Sequence, residues 1–270
     1  MIEQTLFALP FALIGVLFAG GGSVRIWVLT IVALIAARTA GMSYNRVIDA
    51  EIDAKNPRTR DRFVPKGEVP AKTVWGVAGI ASLILIGTAY LLNELCFHLS
   101  FAAVFLLFSY SYFKRFSASS HFYLGLVEAA APIGGYLAVT GGFTLVPFVL
   151  GFAILTWIAG LDIVYALQDL AFDRNEKLHS IPVRVGRKNA LRLSAVCYIF
   201  SLGAMIFAGF LAHRAFVYWI ALVLIGLIFF SQQKLARSDD VAAGIKMFLR
   251  INMLISPILF FGTLIDVLIV

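Results

Sequence analysis

The sequence predicts an all-α membrane protein, a bundle of nine transmembrane helices. Two observations carry that expectation. Hydrophobic residues make up 61% of the 270 and charged residues 14%, whereas a soluble domain holds roughly half and a quarter; mean hydropathy is +0.91. The apolar residues also gather in runs near the roughly 20 residues that carry a helix across a bilayer. No strand-like alternation of the kind a barrel needs is present. Backbone groups in hydrocarbon must bond within their own segment, which leaves the helix.

Apolar runs span 6–19, 26–48, 73–92, 95–113, 122–139, 144–167, 190–211, 216–230 and 251–270. The first is the shortest and contains Pro10. No secretory leader is expected, because the chain start lacks a basic region and a small-residue cleavage site. The connections alternate in character: 49–72, 114–121, 168–189 and 231–250 are mostly long and charged. The connections 20–25, 93–94, 140–143 and 212–215 are short, with glycine and polar residues. Of 22 Lys and Arg residues, 19 lie in or beside the first set, Arg25 and Arg214 lie in the second, and Arg38 falls within the second run. That asymmetry puts the charged loops on the cytoplasmic side, expected here to be that of a bacterial inner membrane. The net charge of +7 is therefore topology, with basic loops near anionic headgroups. Nucleic-acid binding is a poor reading of charges dispersed over four loops. Cys96 and Cys197 have no metal-type spacing and read as small apolar packing residues.

Residues 1–270 read as one domain with a weak internal repeat. The second and sixth runs each end in D-x-x-x-D, Asp49/Asp53 and Asp169/Asp173, 120 residues apart. An even number of runs separates them, so both emerge on one membrane face. Two four-helix halves plus a ninth helix are expected.

The chemistry lies in these pairs. Asn45, Asp49 and Asp53 are four residues apart and form one stripe on a continuing helix. Paired carboxylates repel unless a cation intervenes, and hard oxygen donors favour Mg²⁺, held by one or two carboxylates plus substrate phosphates. A lone D-x-x-x-D reads as solvated charge at a helix end; two copies on one face read as a metal site. Asp162 lies seven residues before Asp169, inside the apolar run, and falls within about 20° of the line through Asp169 and Asp173 on a helix. A carboxylate inside a membrane helix is a functional candidate by default; its bland alternative is a structural bond to a neighbouring helix. Arg58, Arg62, Lys66, Lys114 and Arg115 follow the first pair or stand in the next cytoplasmic loop. Singly each reads as a positive-inside residue; together they suit a diphosphate.

These residues carry a resemblance. The chain resembles the UbiA superfamily of intramembrane aromatic prenyltransferases along nearly its full length, at Asn45, Asp49, Asp53, Arg58, Thr59, Arg62, Pro65 and Gly67. It continues at Tyr110, Lys114, Arg115, Leu124, Gly125 and Pro132, then Trp157, Asp162, Tyr165, Asp169, Asp173, Ser180 and Gly186. The resemblance implies nine helices and transfer of a polyprenyl group from its diphosphate to an aromatic acceptor, of the 4-hydroxybenzoate polyprenyltransferase type, with Mg²⁺. It implies Asp49, Asp53, Asp169 and Asp173 as metal ligands, and Asn45, Arg58, Arg62, Lys66 and Lys114 at the substrate. Arg115 is expected at the acceptor carboxylate, and Asp162 or Tyr165 at the phenol. The pattern departs at Arg46, where the family often carries Asp, at Lys177 and His179, and at Glu128 in the fifth run. Residues 178–182 are similar to a branch linked to menaquinone made through futalosine.

Two further acceptor or function classes stay open. A dihydroxynaphthoate is the alternative acceptor, on the way to menaquinone rather than ubiquinone. A cation-coupled transporter is the alternative of another class, although its carboxylates belong near the midplane and four of these five lie at the cytoplasmic end.

Overall fold

The structure is a computed structural model that describes residues 2–238 and 241–269. Among these every regular element is helical: α1 (Ile2–Phe18), α2 (Val24–Ile48), α3 (Ala50–Lys55), α4 (Ala71–Leu92), α5 (Glu94–Phe113), α6 (Ser120–Thr140) and α7 (Leu145–Tyr165). After a 3₁₀ turn (Ala166–Asp169) come α8 (Leu170–Asn175), α9 (Ile181–Leu211), α10 (Phe216–Leu235), α11 (Val241–Asn252) and α12 (Ile255–Ile269). Eight stretches are long and apolar enough to cross a membrane: α2, α4, α5, α6, α9, α10, Leu145–Asn175 and Ala243–Ile269. The first expected crossing is shorter, an apolar stretch over Leu9–Phe18. Leu83, Ile199, Phe105 and Phe230 stand exposed around the bundle, which suits hydrocarbon.

Lipid gives helices no hydrophobic reason to associate, so close backbone approach and polar bonds must hold the bundle. A Cβ placed on Gly135 of α6 would stand 1.9 Å from the Ala12 carbonyl oxygen of α1. Only glycine permits that crossing. Trp157 of α7 is fully buried and its indole Nε1 donates to Asn252 Oδ1 at 3.0 Å. Gln232 Nε2 of α10 donates to the same oxygen at 3.1 Å, so one amide ties α7, α10 and α11. Asp266 of α12, 2% exposed, accepts from Ala215 N at 2.8 Å and Tyr218 N at 3.0 Å. It thereby satisfies donors that the first turn of α10 leaves without partners. Both cysteines are free and buried.

The charged connections are more ordered than the sequence suggests. The last run does not begin at 251: α11 occupies much of the expected loop 231–250, and the chain breaks between α11 and α12. The run expected at 190–211 starts at Ile181 instead, then kinks at Gly186, φ 75°. These turns stand outside the apolar runs, so hydropathy does not mark them. The expected stripe through Asn45, Asp49 and Asp53 does not run along one helix either. Asp49 ends α2 with φ −91° and ψ 1°, and Asp53 sits on α3. Asp169 has nearly the same backbone, φ −100° and ψ 7°, and Asp173 sits on α8. In both motifs the first aspartate stands at the break and the second on a six-residue helix.

Gly135→Val should drive a side chain into the α1 backbone and cost about 1–3 kcal/mol, the usual range for overpacking. The thermal melt of the detergent-solubilised protein should fall accordingly, whereas Gly134→Ala, whose added Cβ meets nothing within 4 Å, should melt as the parent. Equal melts would remove the proposed crossing.

Candidate functional site

The two acidic motifs meet. Asp49, Asp53, Asp169 and Asp173 line one polar cavity of about 170 Å³. Their elements are tied directly: Lys55 Nζ meets Glu176 Oε2 at 2.7 Å, and Asn56 Nδ2 donates to Asp169 Oδ1 at 3.1 Å. The helix breaks turn the four carboxylates inward beyond the apolar part of the bundle.

Cations meet three of the four. Asp49 is 1% exposed; its Oδ2 accepts from Asn45 Nδ2 and from Lys114 Nζ, each at 2.7 Å. Burial pushes its carboxyl above the ordinary value, and Lys114 opposes that shift. Asp53 pairs with Arg62 Nη1 at 2.6 Å. Asp169 accepts both Nε and Nη2 of Arg58, a forked pair, and Arg58 Nη1 also donates to the Tyr165 hydroxyl. A guanidinium fork suits two parallel oxygens, so Arg58 holds Asp169 and Tyr165 in fixed relation.

A second, apolar cavity of about 800 Å³ lies against the first, walled by α2, α4, α5, α6 and α7. Asn45, Arg62, Tyr110, Asp162 and Tyr165 line both, so polar and apolar chambers share one rim. At that rim His121 Nδ1 lies 2.7 Å from Asp162 Oδ2, while His121 Nε2 accepts from Ile181 N at 3.2 Å. An acceptor at Nε2 puts the proton on Nδ1, so the imidazole donates to Asp162. Deeper in the apolar chamber, Arg38 pairs with Glu128.

Asn45, Arg58, Arg62, Lys114, Asp162 and Tyr165 thus line the chambers as the sequence suggests. Lys66 does not: it pairs with Asp61 at 3.3 Å on the surface. Arg115 does not either, since its Nη2 donates to the Ile48 carbonyl and it lines neither chamber. Both follow turns whose direction sequence spacing does not give. His121, Asn56 and the Arg38 partner of Glu128 were missed. A charge inside each of two apolar runs, Arg38 and Glu128, was the available signal for that pair. His121 carries none, because its partners are 41 and 60 residues away.

The donor set fits a divalent cation. Asp49 Oδ1 is buried and accepts no hydrogen bond, with Arg115 Nη2 4.0 Å away, and all four donors are hard carboxylates. Among the described residues no three acidic, His or Cys side chains cluster tightly enough to enclose an ion.

The model of the UbiA prenyltransferase family matches residues 8–256. A 4-hydroxybenzoate octaprenyltransferase of Nitrosomonas europaea is 31% identical over 90% of this chain and 82% of its own length. The apo structure of a UbiA homolog from Aeropyrum pernix K1 superposes with a TM-score of 0.91 at 29% identity, covering 98% of each chain. The structure of a UbiA homolog from Archaeoglobus fulgidus bound to GPP and Mg²⁺ superposes with a TM-score of 0.71 at 19% identity. It covers 96% of this chain and 95% of that one, and at that identity it speaks for the fold.

Lys114→Met should leave buried Asp49 with Asn45 as its one hydrogen-bond donor and cost about 1–3 kcal/mol, the penalty of an unsatisfied buried group. In an Asp49→Asn background the same change should cost little. A double-mutant cycle of detergent melts reads the coupling, and additive losses would remove it.

Proposed function

Since the chain belongs to the UbiA prenyltransferase family, we propose that it transfers a polyprenyl group from polyprenyl diphosphate to a ring carbon of 4-hydroxybenzoate in quinone biosynthesis. The whole chain would act as one domain, with the polar chamber on the cytoplasmic side of the inner membrane. One observation carries the reading: a chamber of four carboxylates with cations among them shares its rim with an apolar chamber several times larger. A polyprenyl diphosphate has that same division, a charged head on an apolar chain.

Asp49, Asp53, Asp169 and Asp173, with Asn45 assisting, would hold Mg²⁺. The bound ion would supply positive charge to the diphosphate oxygens as they gain electrons. Arg58, Arg62 and Lys114 now neutralise three of the acids and stand at the wall where the diphosphate would sit, ready to hold its oxygens. The reaction breaks the bond between the allylic carbon and diphosphate oxygen, and forms a carbon–carbon bond beside the phenol hydroxyl. One proton leaves the acceptor. Asp162, held by the Nδ1–H of His121, has a second oxygen that accepts no hydrogen bond among the described residues and is the group we assign to that proton. Tyr165, fixed by Arg58, orients the phenol. The apolar chamber takes the isoprenoid chain and keeps water from the cationic carbon.

Asp49→Ala and Asp169→Ala should each lower transfer by about a hundredfold or more, the usual loss for a charge-stabilising group. The readout is labelled product from purified protein, and excess chelator should match it. Activity retained in either variant would sink the metal reading. A panel of aromatic acids with labelled polyprenyl diphosphate should give product with 4-hydroxybenzoate ahead of dihydroxynaphthoate; the reverse order would reassign the acceptor.

A further inference from the structure

One buried ring at the rim has each of its two nitrogens engaged by a different helix. His121, the second residue of α6, is 3% exposed. Its Nδ1 lies 2.7 Å from Asp162 Oδ2 on α7, and its Nε2 accepts from Ile181 N, the first residue of α9, at 3.2 Å. A backbone N–H can only donate, so Nε2 stays an acceptor and the single proton of the neutral ring stays on Nδ1. A protonated imidazole would set two donors face to face. The start of α9 therefore fixes the tautomer, and the tautomer fixes what the ring offers Asp162.

The chain just before Ile181 is part of the polar chamber. Leu178, His179 and Ser180 line it. Leu178 N donates to the Asp173 carbonyl and His179 N to the Lys114 carbonyl, each at 2.8 Å. Backbone donors at 178, 179 and 181 thus tie one short segment to a residue of the second acidic motif, to the lysine that meets Asp49, and to the ring that meets Asp162. We infer that His121 is a positioning residue: braced by this segment, it holds one oxygen of Asp162 and leaves the other aimed at the acceptor's proton. The inference rests on the prenyl-transfer reading above, in which Asp162 takes that proton. His121 itself takes none. Its Nδ1–H is donated throughout and its Nε2 is occupied, so the ring orients the carboxylate and does not relay a proton beyond it.

Glutamine tests that distinction, because its amide nitrogen can donate and its oxygen can accept without an ionisable ring. Leucine keeps neither bond. The turnover number, the KM for each substrate and detergent melts are measured for His121→Gln and His121→Leu, in wild-type and Asp162→Asn backgrounds. His121→Gln should keep most of the wild-type kcat. His121→Leu should lower kcat about ten- to a hundredfold, within what acid–base catalysis contributes, and leave the KM for polyprenyl diphosphate unchanged. In Asp162→Asn the leucine should lower kcat little further, because the group it misaims is already gone. Equal fold losses in both backgrounds overturn the inference, and so does His121→Gln as slow as Asp162→Asn, which would make the ring a relay. If His121→Leu does not fold, that comparison of His121→Gln with Asp162→Asn decides. Nitrogen NMR of isotope-labelled histidines gives a readout independent of activity: the four signals are sorted by the one lost in His121→Gln. A neutral His121 with its proton on Nδ1 is expected, and a proton on Nε2 overturns the inference. Wild-type protein with the expected tautomer but no prenyl transfer would sink the transfer reading, whereas transfer with equal losses in both backgrounds would sink the role of His121 alone.

Discussion

Four carboxylates gathered at one end of a helical membrane bundle repel one another, and much else in this chain is arranged to contain that repulsion. Asp49 and Asp53 are nearly inaccessible, so water cannot screen them. Lys114, Arg62 and Arg58 do so instead, and all three arrive from outside the helix they neutralise. The loop after α3 and the turn after α5 are therefore parts of the site rather than connections. The ties Lys55–Glu176 and Asn56–Asp169 close the two motifs around a common space.

That space exists because the regular α-helix gives out before each motif turns at its first aspartate, α2 at Ile48 and α7 at Tyr165. A straight continuation would carry the second carboxylate one helical turn further along the axis, about 5.4 Å away from the bundle. The break at Asp49 and the 3₁₀ turn ending at Asp169 instead start short helices that lie over the chamber. Below them the bundle is held by means suited to lipid: a glycine crossing between α1 and α6, and amide or carboxylate groups that each satisfy donors from neighbouring helices. Such packing holds the bundle while leaving a large apolar space among α2, α4, α5, α6 and α7.

The rim between the chambers is where charge and hydrocarbon meet, and its groups differ in kind. Arg58, Arg62 and Lys114 already have acids as partners. Asp162 has a neutral imidazole, which orients one oxygen without cancelling the charge. Arg46 has nothing.

Membrane spanning, the helical class, the two acidic pairs and Asp162 were legible in the sequence. Each depends on local composition or on spacing along one helix, and hydrocarbon leaves a chain few alternatives. The basic set that the sequence offers beside them divides: Arg58, Arg62 and Lys114 line the chambers. Lys66 and Arg115 line neither, because a side chain after a turn points where the turn sends it. His121 acquired its place through Asp162 and Ile181, from α7 and α9. Sequence fixes which charges a chain carries; only the folded bundle decides which of them cancel, because cancellation depends on distances between segments far apart along the chain.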